Sequence, residues 1–500
     1  MSLTLRNCRL VGTDGEPVDV LVRDGVVTSI DARSAGENVS PGDTVDLEGR
    51  YLGPGMWDNH VHFSQWSLVR QRLDVSAASS AAEVAQLVGS RLAGSRPVGS
   101  RLESGLAEGA TLVGFGFRDG LWADIPNAAV LDAVTGTVPT VLVSGDLHCV
   151  WLNTAALERY GHAGHPTGIL REREAFEIST AISTVADDVL DGWVADAARA
   201  AAARGIVGIV DLEMQLTIDD WPRRIAAGID QLRVRCGVYP HDLDTAIARG
   251  LHTGQPLEGG VGLATMGPFK IITDGSLNTR TAYCHAPYPG TGNHGELVYE
   301  PLALVASLER ARDAGLVPAV HAIGDFANEI ALDAFQAAGV RGSIEHAQLI
   351  SSADFARFAE LGVVASVQPE HAMDDRDVAE LYWAGRTDRA FALESLVRAG
   401  ATLRLGSDAP VAPLDPWVTM AAAISRSRDG REPWHPEQIV ASAVAYAAST
   451  DGRARVHVGS VADLVVTESD PLTATDDELR SFPVAATMVA GRWTHYSLVE

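Results

Sequence analysis

The stretch GPGMWDNHVH, residues 53–62, decides the fold of this chain. It has the apolar character of a buried strand and ends in two histidines two positions apart. Because side chains of a strand alternate between its faces, His60 and His62 point to the same side, as does Asp58. Two imidazoles placed in this way can hold one metal ion. A lone His-x-His is more often a buried structural pair, so a metal site requires further ligands that converge here.

Strands and helices alternate regularly after Gly205, which is typical of a parallel sheet. Glycines such as Gly315, Gly339 and Gly362 end the helical units. Counted from His60, the pattern predicts eight strands and therefore an α/β fold, a closed (β/α)8 TIM barrel. After the first, the predicted strands are residues 206–211, 232–238, 269–273, 316–320, 343–345, 363–367 and 402–405.

Active sites of such barrels lie at the C-terminal ends of the strands. The predicted strand ends carry His60, His62, Lys270, His321, His346 and Asp408. Zinc, manganese, iron and nickel accept histidine and aspartate ligands. A protonated lysine has no lone pair and cannot be a ligand. Its carbamate, formed with carbon dioxide, is in effect a carboxylate on a long arm that can bridge two ions.

Lys270 is the only lysine among the 39 basic residues of the chain. Arginine can replace lysine on a surface, but a guanidinium stays protonated and cannot act as a nucleophile. The lysine lies in the apolar stretch PFKIITDG, residues 268–275, where an unpaired ammonium is costly to bury. We interpret it as a residue kept for amine chemistry, the alternative being a single lysine that survived by drift.

Three segments fall outside the strand–helix rhythm. Residues 1–52 and 453–500 contain short strands, and we expect them to pair into one composite β-sandwich beside the barrel of residues 53–452. Residues 66–204 are too long for a loop and indicate an insertion subdomain after the first strand. Within it we expect a helix over residues 66–96. Its aromatic residue Trp122 is a candidate substrate contact or part of the insertion's own core.

Composition limits the partners of this chain. A net charge of −26 argues against nucleic acid, since phosphate backbones require clustered Lys and Arg. The four cysteines show no CxxC spacing, which indicates a reduced, intracellular protein. The sequence has no secretory segment and no apolar run of membrane-spanning length, so we expect a cytoplasmic protein that does not bind a membrane. A small molecule is the expected partner.

Five motifs resemble those of the metal-dependent amidohydrolase superfamily. They are PGMWDNHVH at 54–62, the strand of Lys270 followed by Asp274-Gly275-Ser276, HAIGD at 321–325, IEHA at 344–347 and GSDAPV at 406–411. PTGILRE at 166–172 and Gln368-Pro369 resemble the branch that includes N-substituted formamide deformylase. The resemblance covers nearly the whole chain and implies hydrolysis of a C–N bond in an amide or formamide.

The resemblance also implies a ligand set. His60 and His62 would hold one divalent ion, most often zinc, and His321 and His346 a second, with carboxylated Lys270 as a bridge. Asp408 would bind metal, act as the general base for a metal-activated water and then pass the proton to the leaving nitrogen. His346 or the second ion would stabilise the oxyanion. Many relatives hold one ion only, bound by the first pair, His321 and Asp408, and barrels of this kind are often homodimers.

Several assignments stay open on the sequence alone. His148 and His371 are candidate substrate contacts, and for both the alternative is an ordinary loop histidine. A deaminase, or a hydrolase of cyclic amides or ureas, would use the same metal ligands. A barrel that binds or scaffolds without catalysis is the alternative outside the enzymes, although every expected ligand type is present.

Overall fold

The computed structural model describes residues 2–32, 43–94 and 110–498. Within these ranges, eight parallel strands form a barrel in which each strand pairs with the next along the chain. We label them β1 to β8: Met56–Val61, Ile206–Asp211, Arg233–Val238, Ala264–Ile272, Pro318–Ala322, Ser343–His346, Val364–Val367 and Leu403–Leu405. The predicted TIM barrel is confirmed.

Helices cover the outside of the barrel and, except for Pro369–Tyr382, bury their apolar faces against the strands in one cluster. They are Phe63–Val69, Asp187–Ala202, Asp220–Ala226, Leu243–Ala248, Pro301–Asp313, Asp325–Ala338, Phe355–Leu361, Pro369–Tyr382, Leu393–Arg398, Pro416–Ser425 and Ser442–Ala448. The apolar residues of Pro369–Tyr382 pack in a separate cluster. The helix ends predicted at Gly339 and Gly362 are confirmed. Both residues adopt a left-handed φ, of 62° and 64°, which glycine tolerates without a Cβ penalty.

The barrel closes where β1 meets β8. The Asp408 amide donates to the His60 carbonyl at 2.7 Å, and the His62 amide donates to the Ala409 carbonyl at 2.9 Å. The Asp58 carboxylate accepts from the amides of His60 and Ser407, each at 3.0 Å. Asp58 therefore ties the two strands together beneath the histidines.

Gly406 allows this close approach. A Cβ atom at residue 406 would lie 2.7 Å from the backbone nitrogen of His60 and 3.0 Å from the His60 Cβ. Such contacts are too short for any side chain. A glycine at the end of β8 is therefore required for Asp408 to stand beside His60 and His62.

The insertion after β1 has its own sheet. Among the described residues its strands are Leu73–Asp74, Leu112–Phe117, Thr140–Ser144, Cys149–Leu152 and Ile169–Arg171, and its helices are Ala81–Leu92, Ala128–Thr135, Thr154–Arg159 and Arg173–Ser183. The helix Asp187–Ala202, by contrast, packs in the barrel cluster through Val194 and Ala198.

The prediction of a continuous helix over residues 66–96 was wrong. The first helix ends at Val69, and Leu73 then pairs with Gly114 in the insertion sheet. A new helix begins at Ala81, where the Ser80 hydroxyl caps the amide of Glu83. Burial of Leu73 in the sheet outweighs the helical pattern, and residues 95 and 96 lie outside the described part of the chain.

Both termini contribute to a second β domain. Its described strands are Ser2–Leu10, Val18–Arg23, Val26–Ala32, Asp43–Asp46, Tyr51–Pro54, Leu464–Thr467, Val484–Val489 and Arg492–Tyr496. Tyr51–Pro54 lies between the N-terminal strands and Leu464–Thr467, so the two ends of the chain share one sheet and one apolar core. The predicted β domain from both termini is confirmed. In the residues that the structure covers, every helix is too short or too polar to cross a membrane.

The close contact between β1 and β8 is called the seam here. We expect opposite effects from a glycine-to-alanine substitution at this seam and one away from it. Gly406→Ala should lower the free energy of unfolding by about 1–3 kcal/mol, because its methyl group overlaps the backbone of His60. Gly192→Ala is the matched control: it lies within the helix Asp187–Ala202 with no atom within 4 Å of the added Cβ. This control should raise the stability by about 0.5–1 kcal/mol. Urea unfolding measures both, and an unchanged stability for Gly406→Ala would contradict the tight seam.

Candidate metal centre

His60, His62 and Asp408 form a compact group at the mouth of the barrel. Oδ1 of Asp408 lies 3.4 Å from Nε2 of His60 and 3.4 Å from Nε2 of His62. One candidate ligand atom from each residue lies within 4.8 Å of the others. The alternation of side chains along β1 places the two histidines on one side, and the contact between β1 and β8 brings Asp408 to them.

Glu345 fixes the orientation of His60. Its Oε2 lies 2.7 Å from Nδ1 of His60, and both side chains are buried. Burial opposes the charge of Glu345, but the hydrogen bond from His60 and the charge of Lys270 outweigh it and hold the pKa of Glu345 at about 2. Burial and Lys270 lower the pKa of His60 to about 4. Nδ1–H of neutral His60 therefore donates to Glu345, which leaves the Nε2 lone pair for a metal ion.

A second group shares Asp408. His346, His371 and Asp408 also offer ligand atoms within 4.8 Å of one another, and Nε2 of His371 lies 3.9 Å from Oδ2 of Asp408. Burial and the neighbouring His321 lower the pKa of His346 well below its usual value, so this imidazole is neutral. His371, a candidate substrate contact from the sequence, thus lies close enough to Asp408 to share a cation with it.

His321 stands beside this second group. Its ring centroid lies 4.5 Å from that of His346, and its Nε2 lies 3.4 Å from Oδ1 of Asp274. The fully buried Asp274 carboxylate accepts the amides of Ile323 and Gly324 at 3.0 and 2.9 Å. Asp274 therefore holds the loop after β5 beside the His321 ring, and among the described residues Nε2 of His321 has no hydrogen-bond partner.

Lys270 lies on β4 and is 2% exposed. Burial lowers its pKa to about 8, although Glu345 and Asp408 favour the charged form. Among the described residues its Nζ has no hydrogen-bond partner. The chain's single lysine thus lies inside the barrel, close enough for its charge to act on His60, Glu345 and His346.

Two of these residues have unusual backbone conformations. His346 has a φ of 74° and Asp408 a φ of 56°, in the left-handed region that residues with side chains rarely adopt. Each such conformation costs on the order of 1–3 kcal/mol and persists only where the surroundings enforce it. In both cases the strained residue is the one that presents a candidate ligand at a strand end.

A cavity of about 520 Å³, part of it open to solvent, lies above this centre. Its lining includes His321, His346, His371 and Asp408 from the barrel and Arg118, Asp146 and His148 from the insertion. A second cavity of about 720 Å³ shares Arg118, Asp146 and Asn278 with it. Trp122 lies outside both linings and packs against the insertion core around Phe117 and Trp151.

The residues present fit a divalent cation. Buried nitrogens without a partner among the described residues include Nδ1 of His346, Nε2 of His371 and Nζ of Lys270. An unpaired buried polar group costs about 1–3 kcal/mol, so several around one point indicate a shared ligand. Neutral imidazoles and a carboxylate are the ligands that Zn²⁺ prefers. Sequence reasoning did not identify Glu345 and Asp274 as residues that contact candidate ligands, although they lie in the motifs of residues 344–347 and 268–275.

Comparison with known proteins gives matches along most of the chain. The sequence profile described as "Amidohydrolase family" matches residues 43–495. The protein LONG AFTER FAR-RED 3 of Arabidopsis thaliana is 27% identical over 501 residues, covering 90% of this chain and 83% of the plant protein. N-substituted formamide deformylase of Arthrobacter pascens is 23% identical, covering 94% of each chain.

A solved structure matches as well. The structure of an uncharacterized metal-dependent hydrolase from Pyrococcus horikoshii superposes with a TM-score of 0.77 at 24% identity. The alignment covers 95% of this chain and 99% of that one. At this identity the likeness establishes the shared fold.

The contact between Glu345 and His60 predicts a change in metal affinity. Glu345→Gln should weaken Zn²⁺ binding by about 10- to 100-fold, because the neutral amide no longer holds the His60 tautomer. Competition with a chromogenic chelator measures the affinity. Glu329→Gln is the matched control, since Glu329 pairs at 2.8 Å with the exposed His285. Equal affinities in the two variants would show that Glu345 does not orient His60.

Proposed function

This chain belongs to the amidohydrolase family, and we propose that it hydrolyses the C–N bond of an amide or an N-substituted formamide. The observation that carries the proposal is the convergence of His60, His62 and Asp408 around one point at the barrel mouth. The relative from Arthrobacter pascens is named for deformylation of N-substituted formamides, and it aligns with nearly the whole chain. That similarity supports the same bond as the substrate here.

The first group and the residues of β4 to β6 would hold the metal. His60, His62 and Asp408 would bind one divalent cation, most favourably zinc. His321 and His346 would bind a second, with the carbamate of Lys270 between the two. Asp408 also belongs to the second group, with His346 and His371, so one occupied position or two are both compatible with these contacts.

Formation of the carbamate at Lys270 requires the uncharged amine. Burial lowers the pKa of Lys270 to about 8, so this side chain offers far more free amine near neutral pH than an exposed lysine with a pKa of about 10.4. The charge of Lys270 acts on both His60 and His346, which supports a position between the two groups. As a carbamate, Lys270 would offer bound cations a carboxylate-like group in place of its unpaired nitrogen.

A bound divalent cation lowers the pKa of a coordinated water from about 15.7 to about 7 and so supplies a nucleophile at neutral pH. Asp408 is positioned to accept the proton that this water loses. Histidines surround both of its oxygens, with Oδ1 near His60 and His62 and Oδ2 near His371. Burial opposes the charge of Asp408, but the histidines outweigh it and keep its pKa well below the usual value. Asp408 is therefore ionised and available as the base.

His346 would act on the carbonyl oxygen of the substrate. Because its pKa is lowered, this imidazole is neutral and can donate an N–H hydrogen bond as negative charge develops, or bind a cation that does so. The cavity above it is lined by polar side chains together with the apolar Leu277, Ile323 and Val411, a combination that suits a small, partly apolar amide. A small molecule is therefore the proposed partner.

A product assay tests the proposed reaction. The zinc-loaded protein, incubated with N-alkyl and N-aryl formamides, should release formate and the free amine, and no ammonia. Asp408→Asn should lower kcat by about 10²- to 10⁴-fold, because the general base is lost. Ammonia from an aminopyrimidine, or ring opening of a cyclic urea, would instead favour the alternative hydrolases. A metal-loaded protein inactive on every class would favour a binding barrel.

Substitution of the single lysine tests the carbamate. Lys270→Arg should fold but bind metal at least about tenfold more weakly, because a guanidinium cannot form a carbamate. Elemental analysis gives the metal-to-protein ratio. Arg173→Lys is the control, at a side chain that is 87% exposed. Full metal occupancy and activity in Lys270→Arg would remove the role of the lysine.

A further inference from the structure

We propose that His148 of the insertion is the acid that protonates the departing nitrogen, with Glu172 as its positioning residue. This inference rests on the proposed hydrolysis of a C–N bond and assigns to a residue outside the barrel the proton transfer to nitrogen that the family resemblance gives to Asp408. His148 lines the same cavity as His346 and Asp408. It therefore faces the space that a substrate bound to the metal centre would occupy.

One nitrogen of the His148 ring is engaged, and the other has no hydrogen-bond partner among the residues that the structure describes. Nδ1 lies 2.9 Å from Oε2 of Glu172. The edge of the Phe176 ring packs against the imidazole, with centroids 5.4 Å apart. About 21% of the side chain stays exposed. With Nδ1 bound to Glu172, Nε2 is the ring nitrogen available to a ligand in the cavity.

Glu172 is itself held in place from two sides. Its amide donates to the His148 carbonyl at 2.9 Å, so the two residues are joined by main-chain and side-chain contacts. Its Oε1 accepts from the Thr281 hydroxyl at 3.3 Å, and Thr281 contacts Thr279 at 2.6 Å. The loop after β4 thus fixes the carboxylate that orients the His148 ring of the insertion.

The backbone at both residues supports a functional arrangement. Leu147, directly before His148, has a φ of 68°, and Glu172 has a φ of 48°. Such conformations are unfavourable for residues with side chains and concentrate at functional sites. Here they are the conformations that bring the His148 ring and the Glu172 carboxylate together.

The charges around His148 favour its protonated form. Burial opposes the positive charge, but the hydrogen bond to Glu172 and the carboxylates of Asp146, Glu172 and Asp408 outweigh it and raise the pKa of His148. A cation at the metal centre would cancel the contribution of Asp408 and leave those of Asp146 and Glu172. The guanidinium of Arg118 in the same cavity is paired with Asp374 at 3.0 Å. The pKa of His148 is therefore raised and the pKa of His346 is lowered, as suits an acid and a neutral ligand.

The proposed step balances in protons and electrons. The water oxygen bonds to the carbonyl carbon, and its proton passes to Asp408. When the C–N bond breaks, its electron pair goes to nitrogen, which takes the proton from Nε2 of His148. The products are the free amine and the carboxylic acid, which ionises in solution. Asp408 then releases its proton, and His148 regains one from solvent.

A leaving-group series tests this role. The substrates are N-aryl formamides whose ring substituents vary the pKa of the departing aniline, and the enzyme is the zinc-loaded full chain. His148→Asn should lower kcat by about 10²- to 10⁴-fold for basic anilines, and by less than about tenfold for nitro-substituted anilines that depart without a proton. KM should change little. Glu172→Gln should show the same trend in weaker form and move the alkaline limb of the kcat profile to lower pH, because Glu172 raises the pKa of His148.

Controls separate the possible failures. His285→Asn removes a second His–Glu pair, on exposed Glu329, and should match the wild type throughout the series. Zinc content and melting temperature of His148→Asn should also match the wild type. An equal loss of kcat for every leaving group would overturn the acid role of His148. Absence of formate release by the wild-type enzyme would overturn the proposed function and this assignment with it.

Discussion

The close contact between β1 and β8 is the constraint on which the site depends. It places Oδ1 of Asp408 3.4 Å from the Nε2 atoms of both His60 and His62, although hundreds of residues separate them in sequence. The approach is possible because residue 406 has no side chain and because Asp58 accepts backbone amides from both strands. Without this seam the first ligand group would have two histidines and no carboxylate.

The electrostatics of the centre follow from burial. A chain of net charge −26 places histidines, one lysine and two carboxylates in a largely buried barrel mouth. Burial alone would neutralise these groups, yet Glu345 and Asp408 stay ionised because His60 and His62 donate hydrogen bonds to them. Neutral imidazoles next to fixed carboxylates form a cation site, and the amidohydrolase family supplies the reaction class that such a site serves.

Much of the fold was predictable because strand and helix periods are local properties. Ile206–Asp211 was predicted at its observed bounds, and all eight strands lie where the alternation placed them. Strand ends also located His60, Lys270, His321 and Asp408. The role of Glu345 was not predictable, because its contact with His60 depends on how β6 faces β1 across the barrel. The same holds for His371, whose distance from Asp408 is set by the packing of neighbouring strands.

The insertion was the least predictable part, because its residues reach the site through tertiary contacts. Periodicity did not reveal that Arg118 and Asp146 line the cavity, and it placed Trp122 as readily in a pocket as in a core.

The most direct test of the account is anomalous diffraction at the zinc edge from crystals grown with Zn²⁺. We predict a peak about 2.0–2.3 Å from Nε2 of both His60 and His62 and from the Asp408 carboxylate. A map with no peak between these three side chains would contradict it.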